Sequence, residues 1–108
     1  MRALFILKHC SLCPYIIDAV NLINMHLPLG ERISIIDIFS NDPRLKFLEE
    51  YNGNPDRMYW GTPTLVIDIP VMEKKFGVYR KGFKRIVLNG ASTLRHMKEV
   101  LRLLLEVY

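Results

Sequence analysis

Arg2-Ala3-Leu4-Phe5-Ile6-Leu7-Lys8-His9-Cys10-Ser11-Leu12-Cys13-Pro14-Tyr15 is the stretch on which the fold turns. Residues 2–7 are apolar and lack a helical period, the pattern of a short strand buried on both faces. Near Cys13 the period changes. Ile16, Ala19, Val20, Ile23 and Leu27 recur at helical spacing, with Asp18, Asn21 and Asn24 on the other side. This predicts a helix to about His26, ended by Pro28 and Gly30. A strand, a turn holding two cysteines, and a helix therefore open the chain.

Working outward, Ile33 to Ile38 is a β-branched run that reads as a second strand. Asp42-Pro43 has the form of a helix start, with the helix running to about Tyr51 and closed by Asn52-Gly53. After the loop Asn54 to Gly61, Thr64 to Asp68 predicts a third strand, and Ile86 to Leu88 anchors a fourth. The basic segment between them, Lys74 to Arg85, carries no clear period; Arg80-Lys81 and Lys84-Arg85 read as the rim of a hairpin or loop. Asn89-Gly90 then turns the chain. Ser92 is read as the cap of a last helix that buries Leu94, Met97, Leu101 and Leu104, with Met97 as core filler. The order β-α-β-α-β-β-α, without repeat or linker, predicts one α/β domain over residues 1–108. Its mixed four-stranded sheet should be covered by helices on both faces.

Composition narrows the class. Half of the 108 residues are apolar and 24% are charged, which supplies a core and excludes a disordered chain. No apolar run approaches the roughly 18–20 residues that span a bilayer. The run Ala3 to Leu7 is also too short for a signal-peptide core and is broken by Lys8-His9. A soluble, cytoplasmic protein without a membrane partner is expected. The formal charge of +4 is modest, and no recognition motif accompanies the basic residues, so no nucleic-acid partner is expected either.

Cys10 and Cys13 are the chain's two cysteines. A bridge across two intervening residues removes little freedom from the unfolded chain, so this spacing serves chemistry rather than stability. At the start of a helix, unpaired amides and the positive end of the dipole stabilise a thiolate. The first cysteine of such a turn is expected to be exposed and the second shielded, giving a nucleophile and a resolving thiol. A CxxC is also half of a zinc site, but His9, His26 and His96 show no ligand spacing that completes one. Copper carriage and a metal shared between two copies are the other metal readings. Tyr15 and Trp60 flank the candidate site, and Trp60 either lines a substrate groove or packs in the core. Lys8 and His9 add positive potential near the turn, with His9 read as a loop residue. His96 reads as solvated, and Asp37 and Asp68 as strand-end residues facing solvent.

Together with Gly61-Thr62-Pro63-Thr64 leading into a later strand, the CxxC turn resembles the thioredoxin/glutaredoxin superfamily. The resemblance runs from Arg2 to about Glu106. It implies a thioredoxin fold and a thiol–disulfide oxidoreductase with catalytic Cys10 and Cys13, transferring electrons without a bound cofactor or metal. It further implies that Pro63 is cis beside the redox pair and that the Thr62 backbone pairs with a bound substrate chain. Tyr15 and Trp60 complete the expected substrate contacts. The Asn89-Gly90-Ala91-Ser92-Thr93 stretch has one glycine and no carboxylate where glutaredoxins hold glutathione, so a protein disulfide is the expected substrate. A reductase or glutathione would recycle the pair. A thioredoxin-like binding or regulatory module and a metal-handling protein are the alternative classes.

Overall fold

A computed structural model describes residues 1–107 and contains a mixed four-stranded sheet with three α-helices. The strands β1 (Arg2–Ile6), β2 (Ser34–Asp37), β3 (Thr64–Lys75) and β4 (Val78–Asn89) lie in the order β2-β1-β3-β4. β1 and β2 are parallel; β3 runs antiparallel to both β1 and β4. The helices are α1 (Cys13–Asn24), α2 (Leu45–Asn52) and α3 (Ala91–Val107). The predicted order of strands and α-helices is the observed one. Two single 3-10 turns, residues 29–31 and 57–59, occupy stretches expected to be loop.

Alternation along the central strands divides the core in two. Leu4 of β1 with Leu65, Ile67 and Ile69 of β3 packs against Ile16 and Val20 of α1 and against Met97, Val100, Leu101 and Leu104 of α3. On the opposite face Ala3, Phe5, Ile36 and Val66 meet Leu45 and Leu48 of α2, together with Trp60. Helices therefore cover both faces, α1 and α3 on one and α2 on the other. No helix among the described residues is long and apolar enough to cross a membrane.

Several boundaries move. Asp42 organises a turn rather than capping α2, and Pro43 lies in that turn rather than at the first helical position. The Asp42 carboxylate accepts the Arg44 N–H at 2.9 Å and pairs with the Arg44 guanidinium, and α2 begins only at Leu45. Gly53 closes α2 in the left-handed region at φ 66°, as Asn52-Gly53 predicts. Ser92 lies inside α3 instead of capping it, and Leu94 is 47% exposed; Thr93 and Val100 take the buried positions. Asp68 is not a solvent-facing strand end, because β3 continues through Lys75. Its carboxylate accepts two hydrogen bonds from the Arg85 guanidinium, at 2.7 and 2.8 Å, and also meets the terminal ammonium of Met1.

The Arg85 hydrogen bonds, aided by the ammonium charge, hold the Asp68 carboxyl down at about 2 against the opposing effect of burial. A carboxyl depressed in the folded state contributes stability that is complete above its unfolded value, near 3.9, and is lost as the pH falls toward 2. Asp68→Asn should therefore lower neutral-pH stability by on the order of 1 kcal/mol. In urea titrations the deficit should shrink between pH 4 and 2, and a deficit constant across that window would refute the assignment. Leu104→Ala, at a fully buried position in the α1–α3 core, should cost about 2–5 kcal/mol by the same measurement.

Candidate functional site

β1 delivers the chain to a tight turn in which the Cys10 N–H donates to the Leu7 carbonyl at 3.0 Å and the Cys13 N–H donates to Cys10 at 3.3 Å. α1 starts at Cys13, with Pro14 in its first turn and no side chain capping its amides. Proline suits this place because the first amides of a helix have no intrahelical acceptors. Leu12 packs onto the α1–α3 core and anchors the turn from within. Cys10 and Cys13 are joined as a disulfide with their Cα atoms 5.3 Å apart. Cys13 is 2% exposed, whereas Cys10 is half-buried, so the first cysteine is the one a partner can reach.

A second loop faces this turn. The Thr62–Pro63 peptide is cis, and the Thr62 carbonyl oxygen lies 3.9 Å from Cys10 Sγ. Pro63 is buried, and its carbonyl accepts the Gly90 N–H at 2.8 Å. The hydroxyl of Thr93, fully buried, lies 3.1 Å from that same oxygen and 3.0 Å from the Leu88 carbonyl. Thr64 Oγ1 donates to the Gly61 carbonyl and closes the loop on itself. Gly61 is required by close approach: a Cβ there would collide with the side chain of Asn89.

The loop is also held from below. Arg57 Nη1 donates to the carbonyls of Ile38 at 2.8 Å and Ser40 at 2.9 Å, tying residues 57–59 to the end of β2. Trp60 is buried in the α2-side core, and its Nε1 donates to the Asn54 carbonyl at 2.6 Å. The groove-lining expectation for Trp60 is thereby corrected: its indole faces inward and fixes the loop that carries Thr62 and Pro63.

Of the residues singled out in sequence, Cys10, Cys13, Thr62 and Pro63 come together. Tyr15 is 70% exposed in the first turn of α1, on the surface beside the pair. Lys8 and His9 are exposed in the turn itself. Asp37 ends β2 opposite Ile6, and its carboxylate accepts the Phe39 N–H at 2.8 Å. Sequence reasoning missed Arg57 and Thr93. Each is an ordinary polar residue in a loop or a first helical turn, and only its partners reveal its purpose. Among the described residues no group of three or more His, Cys, Asp or Glu side chains is placed to hold a metal ion.

Chemically, the arrangement offers an accessible sulfur, a shielded sulfur bonded to it, and an adjacent backbone carbonyl at the head of a strand. Comparison of the chain with protein-family models, curated proteins and solved structures yields no match.

The hydrogen bonds of Thr93 carry a testable consequence. Thr93→Val keeps the shape but leaves two buried carbonyls with one donor fewer, and should cost about 1–3 kcal/mol in denaturant titration. Ser92→Ala, exposed one residue earlier, should stay within about 0.5 kcal/mol of the parent. Equal costs would remove Thr93 from its assigned role.

Proposed function

We propose that the chain is a thiol–disulfide oxidoreductase with a thioredoxin-like fold, acting on disulfides of protein partners through Cys10 and Cys13. The observation that carries the reading is the Cys10–Cys13 disulfide at a strand-to-helix turn, its more accessible sulfur 3.9 Å from the Thr62 carbonyl that precedes a cis proline. A half-buried first sulfur and a 2% exposed second one supply the asymmetry that the chemistry requires.

In the reducing direction, the Cys10 thiolate attacks one sulfur of a substrate disulfide. The substrate S–S bond breaks as the Cys10–substrate bond forms, and the other substrate sulfur leaves as a thiolate that takes a proton. Cys13 then loses its proton and attacks Cys10 Sγ. The mixed disulfide breaks, the Cys10–Cys13 bond forms, and the second substrate thiol is released. The substrate gains two electrons and the protein loses two. An external dithiol reductase or a pair of glutathione thiols resets the pair, and the reverse sequence oxidises a dithiol substrate.

The location of Cys13 at the head of α1 fits the resolving role, since it meets Cys10 without moving through solvent. The exposed Tyr15 and the Thr62 backbone border the approach to Cys10 and are the proposed substrate contacts. Protein disulfides are favoured over glutathione as substrate because the Gly90 amide and the Thr93 hydroxyl, which stand where glutaredoxins hold the tripeptide, are engaged with Pro63. A cytoplasmic setting is part of the proposal, since both cysteines are used in the exchange pair and none is spread to close a long loop.

Two measurements test it. Titration in defined thiol–disulfide buffers, read by alkylation and mass, should give a reversible two-electron transition between roughly −120 and −270 mV. Cys13→Ser should accumulate mixed disulfides through Cys10, and Cys10→Ser should accumulate few. Partner retention after both cysteines are replaced would support a binding module instead. Protection of the thiols only when metal is supplied would favour metal handling.

A further inference from the structure

β3 and β4 are each 12 residues long, but β1 pairs with β3 only as far as Ile67. Beyond Asp68 the two strands continue alone as a ribbon, residues 69–84, closed by the two-residue turn Phe76-Gly77. Both turn residues have positive φ, 53° and 77°, as a hairpin of this length requires. From Thr64 to Lys75 the strand runs roughly 37 Å, which accounts for much of the 47 Å long axis of the molecule.

Charge is concentrated on this ribbon. Residues 69–84 contain Lys74, Lys75, Arg80, Lys81 and Lys84 against Glu73 alone, a surplus of +4. That equals the formal charge of the whole chain, so the remaining residues balance at ten cations and ten anions. The modest global charge is thus a local one.

The register separates two faces. One begins on α3, where Ile69 is buried, and continues through Glu73 opposite Arg80 and Lys75 opposite Val78. The other carries Met72 opposite Lys81, Lys74 opposite Tyr79, and Pro70 opposite Phe83. On that face β4 presents Tyr79, Lys81, Phe83 and Arg85 in turn, aromatic and cation alternating about every 6.8 Å. Tyr79 is 65% exposed and Phe83 71%. Lys74 Nζ stands 5.7 Å from the Tyr79 ring. At the base, Arg85 lies 4.9 Å over Phe47, which stacks on Tyr51, so the same surface extends onto α2.

Lysines on an unpaired edge discourage strand-to-strand association, which alone would explain a basic ribbon. It does not explain exposed Met72, Tyr79 and Phe83 on one face, since these promote the association that lysines suppress. Phe76 and Val78 are exposed at the turn, but Lys74 and Lys75 flank them, and Met72 and Phe83 lie well back along the ribbon where an inserting tip would not reach. Aromatic rings alternating with cations along a line match a flexible polyanion whose phosphates meet Lys and Arg while its bases stack.

We propose that the Met72–Tyr79–Phe83 face of this ribbon is a binding surface for single-stranded nucleic acid. It lies at the end of β3 away from Cys10 and does not rest on the redox reading. Without a sequence-reading element, recognition is by charge and stacking.

Fluorescence anisotropy with labelled oligothymidylate, oligouridylate and a mixed-sequence duplex tests it on the full chain. Both single strands should bind more tightly than the duplex, and their ratio reports whether DNA or RNA is preferred. Tyr79→Ala with Phe83→Ala should weaken single-strand binding by about tenfold or more and change duplex binding much less. Lys74→Gln with Lys81→Gln should flatten the log–log salt dependence by about 1.4, at roughly 0.7 for each phosphate contact. All four side chains are exposed, so circular dichroism melts and the thiol titration should match the parent. The proposal is overturned if neither single strand binds, or if the aromatic double variant binds them as the parent does. It is also overturned if polyglutamate or phosphatidylglycerol vesicles bind in preference to the oligonucleotides.

Discussion

The carbonyl oxygen of Pro63 ties together the parts of the chain on which the candidate site depends. It accepts the Gly90 amide from the β4–α3 turn and stands within reach of the Thr93 hydroxyl in α3. The carbonyl one residue earlier faces Cys10 Sγ. Geometry at the sulfur is therefore set by a loop clamped to the start of the last helix, over 25 residues away in sequence. Buried polar groups with several partners hold a single arrangement because each unmade bond would cost its full desolvation. Arg57 and Trp60 perform the same service on the other side of the loop, so the carbonyl opposite the disulfide is supported from both faces of the sheet.

Most of this fold is legible in sequence where one residue pattern answers to one physical demand. Leu4 against Ala3 and Phe5, and Ile16 against Asp18, report which side of a strand or helix meets a core. Gly53 and Asn89-Gly90 report backbone that turns. The ribbon escapes because it has no core to impose a period: from Met72 to Lys81 every residue is exposed, and apolar and charged side chains follow one another without a buried partner to sort them. Its turn is equally hidden, since Phe76 is not a residue type that announces positive φ.

The site was legible in part for a similar reason. Cys10, Cys13, Thr62 and Pro63 stand out as types and spacings, independent of neighbours. Trp60 does not, because an aromatic beside a candidate site reads alike whether its ring points out or in. The decision here is made by the Asn54 carbonyl, which receives the indole N–H six residues away, and by the buried cluster with Phe5 and Val66 that the ring joins. Asp68 fails in the opposite sense. It looked like the polar end of a strand, but the strand continues and Arg85 on the neighbouring strand pairs with it.

β3 consequently has two ends with different physics. At Thr64 it is central, fully buried and bonded to strands on both sides, which suits a carbonyl that must be held near a sulfur. Past Asp68 it has one neighbour, and its cohesion comes from the backbone ladder to β4, with solvent-exposed side chains across the ribbon adding little. The Asp68–Arg85 pair marks the boundary, the last point at which the hairpin shares a charge with the body of the protein. A partner held along the ribbon would sit at the opposite end of β3 from Cys10. The two ends are joined by a hydrogen-bonded ladder rather than by a flexible linker, so a ligand on one would hold the other at a fixed distance. Tethering of that kind raises the local concentration of whatever else is bound to the same ligand, without any contact between the ribbon and the cysteines.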